Sequence, residues 1–313
     1  MRYVFIVNPV AGKENSEKLI RSSVGKCFDG RDVDYKICLT EGRNYAYEIA
    51  KSEAELGDEV AVFACGGDGT VFEVLNGIVG HDNASLGVIP VGSANDFLKF
   101  FDEKEKDAFL NIRDQIAGEG VPTDIIKVED KYCLNICSAG MDAVVGAGMA
   151  KFKKLPMVSG PAAYNLSLVK TFVGKLGINI KTTIDGVEYP AADYLFAVCA
   201  NGPCYGGGWR SAPDANPFDG KLDYVMVNKI SKFMVLAFLK DYKRGKIAQY
   251  PFSRTGRCEE MTLESDKPFP VNLDGEIIYF KKATFSIVKK GVKFILPNSI
   301  SAKYVDKILT ILK

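Results

Sequence analysis

The sequence predicts an α/β protein: an N-terminal parallel sheet with helices on both faces, followed by a C-terminal, mainly antiparallel β-sandwich, with a cleft between them. Strand and helix patterns alternate over the first 120 residues, as they do in parallel sheets. After Pro122, strand patterns follow one another with few helices, which is typical of antiparallel sandwiches. No low-complexity linker marks the boundary, so we expect the two units to meet closely.

In the N-terminal half, four short apolar runs predict strands: "RYVFIVNP", "DVDYKICLT", "EVAVFAC" and "SLGVIPV". Helical patterns lie between them in "SEKLIRSSVGKCF", "NYAYEIAKSEAEL" and "TVFEVLNGIVG", and "ANDFLKFF" begins a fourth helix. Short strands separated by helices predict a parallel sheet that is covered on both faces.

In the C-terminal half, the first strands belong to predicted hairpins. "TDIIKVEDKYCLNICSAGMD" reads as two strands with a turn at residues 129–131, and "GINIKTTIDGVEY" alternates before the turn signal Asp185-Gly186. Six further strand patterns follow, from "ADYLFAVCANG" to "VKFILP". Helical interruptions are predicted near residues 161–174 and 231–245, and a short helix after Pro297.

Charge and composition exclude several classes of protein. Forty basic residues against 39 acidic ones leave a formal net charge of +1, so we expect no broad basic surface for nucleic acid. We expect neither a signal peptide nor a membrane-spanning helix, because no apolar run approaches the roughly 18 residues of a span. The eight scattered cysteines favour buried thiols and a cytoplasmic location. His81 is the only histidine, which leaves acid–base chemistry to carboxylates or lysine.

The segment "GGDGT", residues 66–70, lies where the third predicted strand ends and a helix begins. Glycines let backbone N–H groups approach a ligand, and a helix N-terminus favours phosphate. Thr70 and Glu73 have the spacing of a capping box. The carboxylate of Asp68 would repel phosphate unless Mg²⁺ lies between them. The alternative is a tight turn in which Asp68 is a local cap.

Two other loops follow neighbouring strands. The fourth strand ends at Gly92-Ser93, and a helix is predicted from Asn95-Asp96, where Ser93 and Asp96 have capping-box spacing. "NPVAGK" follows the first strand and contains Lys13, which is either a phosphate-neutralising group or an ordinary surface lysine. Because parallel strands bind ligands beyond their carboxyl ends, the loops together predict one shared polyphosphate site.

Four motifs taken together, "NPVAGK", "GGDGTVFEVLNG", "IPVGSANDF" and "LDGE", resemble the diacylglycerol kinase catalytic family, which includes bacterial lipid kinases and the sphingosine and ceramide kinases. The resemblance implies an enzyme that uses ATP and Mg²⁺ to phosphorylate a lipid hydroxyl, with diacylglycerol giving phosphatidic acid as the expected reaction. It also implies an ATP-binding domain of residues 1–122 and 298–313, to which the C-terminal segment returns, and a lipid-substrate domain of residues 123–297.

The resemblance also implies roles for individual residues. Asp68 would lie near the catalytic metal. The nucleotide site would be lined by Asn8, Lys13, Gly66, Gly67, Gly69, Thr70, Gly92, Ser93, Asn95 and Asp96. Asp96 would share an acidic, metal-binding network with Asp124 of "PTDIIKV". Lys99 stands where the family often has arginine, which keeps the charge but loses bidentate phosphate geometry.

Two later motifs complete these expectations. "NPFDGKLDY" resembles a segment that binds a structural Mg²⁺ in some bacterial members, through the Asp219 side chain and the backbone carbonyls of Asn216 and Lys221. "LDGE" would supply Asp274 and Glu276 as catalytic residues, with Glu276 as the general base toward the lipid hydroxyl. From the residues alone, Asp274-Gly275 is equally well explained as a hairpin turn with a solvated Glu276.

Two alternative functions stay open. NAD kinases share a GGDGT loop but usually continue into a glycine- and leucine-rich stretch, whereas this chain has "VIPVGSANDFLKF". A non-catalytic lipid-binding protein with a relic kinase site is the second alternative. Retention of the acidic residues at all the matched positions argues against it.

The expected partner is a lipid at a membrane surface. The segment "MAKFKKLPMVSGPAAYNLSLVKTFVGKLG" mixes apolar residues with lysines, which suits transient peripheral docking on anionic headgroups. The lysines are Lys151, Lys153, Lys154, Lys170 and Lys175. The alternative is a core-facing helix with a solvated basic rim. We therefore expect a cytoplasmic, peripherally membrane-associated protein without nucleic acid, and the sequence leaves a homodimer open.

Overall fold

A computed structural model describes residues 1–12, 15–152, 160–174 and 176–311 of the chain. Its first unit is the predicted parallel sheet with helices, and strand order β2-β1-β3-β4. The elements are β1 (Arg2–Val7), α1 (Ser16–Phe28), β2 (Tyr35–Leu39), α2 (Tyr45–Ala54), β3 (Val60–Cys65), α3 (Asp68–Ile78) and β4 (Ala84–Ile89). The four strands are those that the sequence predicts.

Both faces of this sheet are buried, as predicted. Alternate residues of a strand point to opposite faces. Val62 and Ala64 of β3 therefore pack in one cluster with α2 and α3, while Phe63 packs in another with α1. Every residue of β3 is buried, which is why its sequence reads as a continuous apolar run and not as an alternation.

Two predicted helix starts differ from the structure. The Glu73 carboxylate does not cap α3; it accepts hydrogen bonds from the N–H groups of Asn44 at 2.9 Å and Ala46 at 3.0 Å and so caps α2. "ANDFLKFF" forms a short 3-10 helix, Asp96–Phe100, which begins after the left-handed Asn95, whose φ is 47°. The capping boxes predicted from spacing are therefore wrong. The carboxylates of Glu73 and Asp96 bind N–H groups of other segments and not those of their own helices.

After β4 the chain continues through short helical turns into the second unit. The turns are Glu103–Glu105, α4 (Lys106–Leu110) and α5 (Ile112–Ile116). The strands of the second unit are β5 (Glu119–Val128), β6 (Lys131–Cys133), β7 (Ile136–Gly140), β8 (Ile178–Ile184), β9 (Val187–Ala200), β10 (Leu222–Asn228), β11 (Ser253–Cys258), β12 (Glu260–Leu273) and β13 (Glu276–Leu296). Its helices are α6 (Met141–Phe152), α7 (Gly160–Val173) and α8 (Lys232–Lys243), and α9 (Asn298–Ile311) ends the described chain. Within this unit the strands pair antiparallel, which confirms the predicted sandwich.

Two long strands close the sandwich. One half of β9 pairs with β8 and the other half with β7, and β12 divides its pairing in the same way. Each long strand thereby passes from one layer to the other. The enclosed core contains Ile126, Ile180, Leu263 and Phe285. The sequence predicted the turn at Asp185-Gly186 but not α6, whose residues follow β7 without a break signal.

The two units share a strand and a helix. β13 pairs in parallel with β4 at Lys293 and Phe294 and antiparallel with β5 in its second half, residues 285–296. Ile300 and Tyr304 of α9 are buried in the core of the first unit, and the Tyr304 ring lies 4.8 Å from that of Phe101. β5 crosses the predicted boundary at residue 122, so the residue limits of the two domains stay a proposal.

Two predictions from composition can be compared with the structure. All eight cysteines are free thiols, and each except the half-buried Cys38 is buried, as expected for structural thiols. Among the helices of residues 1–12, 15–152, 160–174 and 176–311, none combines the length and apolar character needed to cross a bilayer.

The packing of α9 gives a stability prediction. Replacing the buried Ile300 by alanine should lower the free energy of unfolding by about 2–5 kcal/mol, because it removes apolar contacts and leaves a cavity. Urea unfolding followed by circular dichroism measures the change. Leu19→Ala on α1 is the control, since Leu19 is exposed and should cost little. Equal losses in both variants would contradict docking of α9 on the first core.

Candidate active site

A cavity of about 300 Å³ lies between the carboxyl ends of β3 and β4 and the turn that joins β12 to β13. One wall is formed by the glycine loop, residues 66–70, and by the second loop, residues 92–96. The opposite wall carries Asp274, Gly275 and Glu276. The cleft between the two units is thus where the sequence predicts the site.

The glycines of the two loops have different tasks. A Cβ on Gly92 would lie 2.3 Å from the Cα of Gly67, and a Cβ on Gly66 would lie 2.3 Å from Oγ1 of Thr70. Gly92 therefore allows the two loops to pack against each other, and Gly66 allows the side chain of Thr70 to pack on its own loop. A Cβ on Gly69 would meet nothing closer than Glu276 Oε1 at 3.8 Å, so Gly69 leaves space in the cavity itself.

Asp68 joins the two loops. Its Oδ1 accepts a hydrogen bond from the N–H of Asp96 at 2.8 Å, and its Oδ2 accepts one from the N–H of Asn95 at 3.1 Å. Burial and the neighbouring charge of Asp96 raise the pKa of Asp68, while the backbone N–H groups act in the opposite direction. Asp68 is therefore a cap for the second loop and, at the same time, lines the cavity.

Asp96 extends this network across the cleft. Its carboxylate forms an ion pair with Lys99 and accepts a hydrogen bond from the N–H of Gly207 at 2.9 Å. The ammonium group of Lys99, the residue considered above as a phosphate contact, is thus ion-paired with Asp96. Gly207 belongs to the second unit and also lines the cavity, so Asp96 connects the two units at the cavity.

The remaining predicted nucleotide residues lie close to these loops. Asn8 Nδ2 donates to Thr70 Oγ1 at 3.5 Å, and Asn95 Nδ2 donates to the carbonyl of Gly66 at 3.0 Å. Ser93 lines the cavity. Lys13 lies outside the described residues. The predicted nucleotide residues that the structure describes thus lie in neighbouring loops at one sheet edge. Asn95 joins two of these loops through its hydrogen bond to Gly66.

Asp274 is fixed by backbone N–H groups. Its Oδ2 accepts from the N–H of Leu134 at 2.7 Å and of Asn135 at 3.2 Å, and its Oδ1 accepts from the N–H of Ile136 at 2.7 Å. Desolvation raises the pKa of Asp274 to about 7, against the effect of these three donors. The positive φ values of Asp274 and Gly275 show that "LDGE" is indeed a hairpin turn, and the turn faces the cavity.

Glu276 lies opposite the glycine loop and forms an ion pair with Arg43. Arg43 lies between β2 and α2 and is largely exposed, so it stands at the edge of the cleft. The two readings of "LDGE" are therefore compatible, since the turn places Glu276 in the cavity. Sequence reasoning missed Arg43, which no local signal distinguishes from a surface arginine.

Asp124 does not join Asp96. Its carboxylate accepts from the N–H groups of Gly220 and Lys290, both at 2.7 Å, and it is not part of the cavity lining. Within the described ranges, no group of three or more His, Cys, Asp or Glu side chains is arranged to hold a metal ion. The predicted shared network of Asp96 and Asp124 is therefore not formed.

A second cavity, of about 230 Å³, adjoins the first. Apolar side chains of α6, α7 and α8 line it, among them Val145, Leu168 and Leu239, and the two cavities share Tyr205, Gly206 and Asn272. Sequence reasoning missed this region. The sequence feature that could have indicated this region is "YGGGW", residues 205–209. All three of its glycines have positive φ in the structure.

Comparisons with known proteins identify both units of the chain. Residues 2–128 match the family described as "Diacylglycerol kinase catalytic domain", and residues 135–295 match "YegS C-terminal NAD kinase beta sandwich-like domain". A diacylglycerol kinase of Bacillus subtilis (strain 168) is 27% identical over 296 residues, which is 94% of this chain and 95% of that protein.

Solved structures show the same fold. A diacylglycerol kinase from Bacillus anthracis str. Sterne superposes with a TM-score of 0.68 at 20% identity, over 96% of this chain and 98% of that one. A yeast NADH kinase reaches only 0.51 at 11% identity, over 99% and 88%, and is a distant relative in fold. The two domain matches together span nearly the whole chain, and it belongs to the diacylglycerol kinase family of lipid phosphotransferases.

Proposed function

We propose that the protein transfers the γ-phosphoryl group of ATP to the hydroxyl group of a membrane lipid, with diacylglycerol as the favoured acceptor and phosphatidic acid as the product. Use of ATP follows from the family. The observation that carries the choice of a lipid is the pair of adjoining cavities, one polar and one apolar, with a common wall at Tyr205, Gly206 and Asn272. An acyl chain in the apolar cavity would present its headgroup to the polar one.

The glycine loop is suited to the nucleotide phosphates. The N-cap of α3 is Gly67, which has no side chain to cap the first turn, and Gly67, Asp68 and Gly69 line the cavity. A phosphate bound there would meet the positive end of the helix dipole. The carboxylate of Asp68 is a hard oxygen donor of the kind that Mg²⁺ prefers. Mg²⁺ held there would neutralise charge on the transferred phosphate.

Glu276 is the residue that we assign to the lipid hydroxyl. It lies across the cavity from Gly69, and a carboxylate there can accept the hydroxyl proton as phosphoryl transfer begins. Arg43 pairs with it at the edge of the cleft. The guanidinium orients the carboxylate and leaves Oε1, the oxygen nearer Gly69, directed toward the reacting groups.

A face built from α7 and α8 supports contact with the bilayer. Val169 and Val173 of α7 and Phe233 and Leu236 of α8 are exposed apolar residues, and we call them the α7–α8 face. Lys232 Nζ donates to the carbonyl of Val173 at 2.6 Å, which holds the two helices together. Exposed apolar groups of this kind suit insertion at a membrane interface.

Charge favours an anionic bilayer as the occupant of this face. α7 and α8 carry several lysines. The acidic side chain of Asp241 on α8 is already hydrogen-bonded to Tyr250. Of the lysines that suggested docking from sequence, Lys170 lies on α7 and Lys151 on α6. Lys153, Lys154 and Lys175 lie outside the described residues. Leu168 and Leu239 of the same two helices line the apolar cavity, so a docked lipid would have a short path to it.

The direct test is a radiolabelled ATP assay. Diacylglycerol, other lipid alcohols and NAD are offered separately, and products are identified by thin-layer chromatography. We expect label in a lipid phosphate. Label in NADP would instead support the NAD kinase alternative, and tight lipid binding without turnover would support a relic site.

Glu276→Gln should lower lipid-kinase turnover by roughly 10²–10⁴-fold, because the amide cannot accept the proton. Turnover numbers at saturating lipid measure the effect. Glu259→Gln is the matched control, since Glu259 pairs with Lys221 and Lys289 on the surface, and it should retain activity. Full turnover of the Glu276→Gln variant would remove this residue from the mechanism.

Gly69→Ala and Gly92→Ala separate the two tasks of the glycines. Gly69→Ala should leave the melting temperature unchanged but weaken ATP binding, because the new methyl group enters the cavity. Gly92→Ala should lower the melting temperature, since its Cβ meets the backbone of Gly67. Thermal melts and nucleotide titration measure the two effects. Normal ATP affinity of a folded Gly69→Ala variant would contradict phosphate binding at this loop.

Leu236→Glu should weaken binding to anionic vesicles by about tenfold, which corresponds to roughly 1.4 kcal/mol of lost apolar insertion. Co-sedimentation with phosphatidylglycerol vesicles measures it. Leu56→Glu is the control, because Leu56 is 59% exposed and Leu236 60%. If both variants bind equally well, the α7–α8 face is not the docking surface.

A further inference from the structure

The segment of residues 216–221, predicted to hold a structural Mg²⁺, already contains a cation from the protein. Oδ2 of Asp219 forms an ion pair with the guanidinium of Arg257, and Oδ1 accepts the N–H of Lys221 at 3.2 Å. The Asp219 side chain is 16% exposed and that of Arg257 is 50% exposed. Both carboxylate oxygens of Asp219 therefore have partners.

The position of Arg257 follows from the sheet. Arg257 lies on β11, directly opposite Asp223 on β10 in the antiparallel register. Asp223 Oδ2 is buried and has no hydrogen-bond partner among the described residues. One guanidinium thus lies beside two carboxylates that follow each other closely in the chain, and the strand pairing fixes it there.

The residues do not fit a divalent ion at this point. A metal bound to Asp219 would stand beside a permanent positive charge that already contacts the same carboxylate. Asp219 is the only side chain predicted to hold the ion, since Asn216 and Lys221 would contribute backbone carbonyls, and the Asn216 side chain adds no further ligand because its Oδ1 accepts the N–H of Phe218 at 3.2 Å. The Mg²⁺ site predicted at Asn216, Asp219 and Lys221 is therefore occupied by arginine.

We propose that Arg257 is a built-in cation that takes the place of a structural metal ion, so that this segment is stable without Mg²⁺. A guanidinium offers fixed planar donors and cannot lose its proton. A bound metal ion stabilises a protein only when the free ion is present in solution, whereas Arg257 is part of the chain. The stability of the segment therefore does not depend on the magnesium concentration.

Hydrogen bonds link this segment to the catalytic cleft. The N–H of Gly220 donates to Asp124, and the N–H of Asp124 donates to the carbonyl of Pro217 at 2.8 Å. Asn201 Nδ2 donates to the carbonyls of both Asp124 and Leu134 at 2.7 Å. Leu134 in turn donates to Asp274. Arg257 therefore stabilises a segment that is connected by hydrogen bonds to Asp274, a residue of the cavity wall.

The test compares melting temperatures in EDTA and in millimolar MgCl₂, without nucleotide or lipid, and so does not depend on the proposed reaction. We expect wild type to keep its melting temperature in EDTA. Arg257→Gln should melt several degrees lower in EDTA, because Asp219 loses its ion-pair partner and Asp223 loses a neighbouring positive charge, and MgCl₂ should restore part of the loss. Arg254→Gln, on the same strand, is the control and should show no magnesium response.

A second set of variants keeps the test decisive. Arg257→Lys retains the charge and should fold and stay insensitive to magnesium. Adding Asp219→Asn to Arg257→Gln should abolish the magnesium response, which assigns it to this segment and not to the cleft. The proposal is overturned if EDTA destabilises wild type and Asp219→Asn removes that effect. It is equally overturned if magnesium fails to restore the Arg257→Gln variant.

Discussion

The close contact between the glycine loop and the second loop is the constraint on which the site depends. Gly92 packs directly on the backbone of Gly67, and Asp68 holds the N–H groups of Asn95 and Asp96. A backbone approach of this kind admits no side chain, and the capped carboxylate cannot rotate away. The N-terminus of α3 and the acidic groups of the second loop are thereby held at one sheet edge.

The opposite wall is fixed by a different device. The hairpin turn between β12 and β13 is fixed on that wall because Asp274 is bound by three consecutive N–H groups of residues 134–136. The turn then projects Glu276 toward the glycine loop. Asp96, bonded to Gly207, connects the second loop to another segment of the second unit that lines the cavity. Carboxylates thus serve here mainly as acceptors for backbone N–H groups, and they maintain the shape of the cleft as well as its charge.

The sequence predicts the positions of apolar residues better than the contacts of polar ones. Periodicity located the four parallel strands and most of the sandwich, because burial of one or both faces is written into consecutive residues. It failed for the partners of polar side chains. Glu73 caps another helix, and Asp124 bonds the backbone of two distant segments. Spacing along the chain carries no information about contacts over a hundred residues or more, such as Arg43 with Glu276.

The sequence by itself determined the class of most elements, the loops at the carboxyl ends of the strands and the family to which the motifs belong, since these depend on local patterns. The tertiary structure alone decided which glycines are packed and which are open, where the apolar cavity lies, and that Arg257 neutralises Asp219. Each of these depends on distances between segments far apart in the chain. Such distances are set by the pairing of strands and the packing of the core, which a linear pattern does not contain.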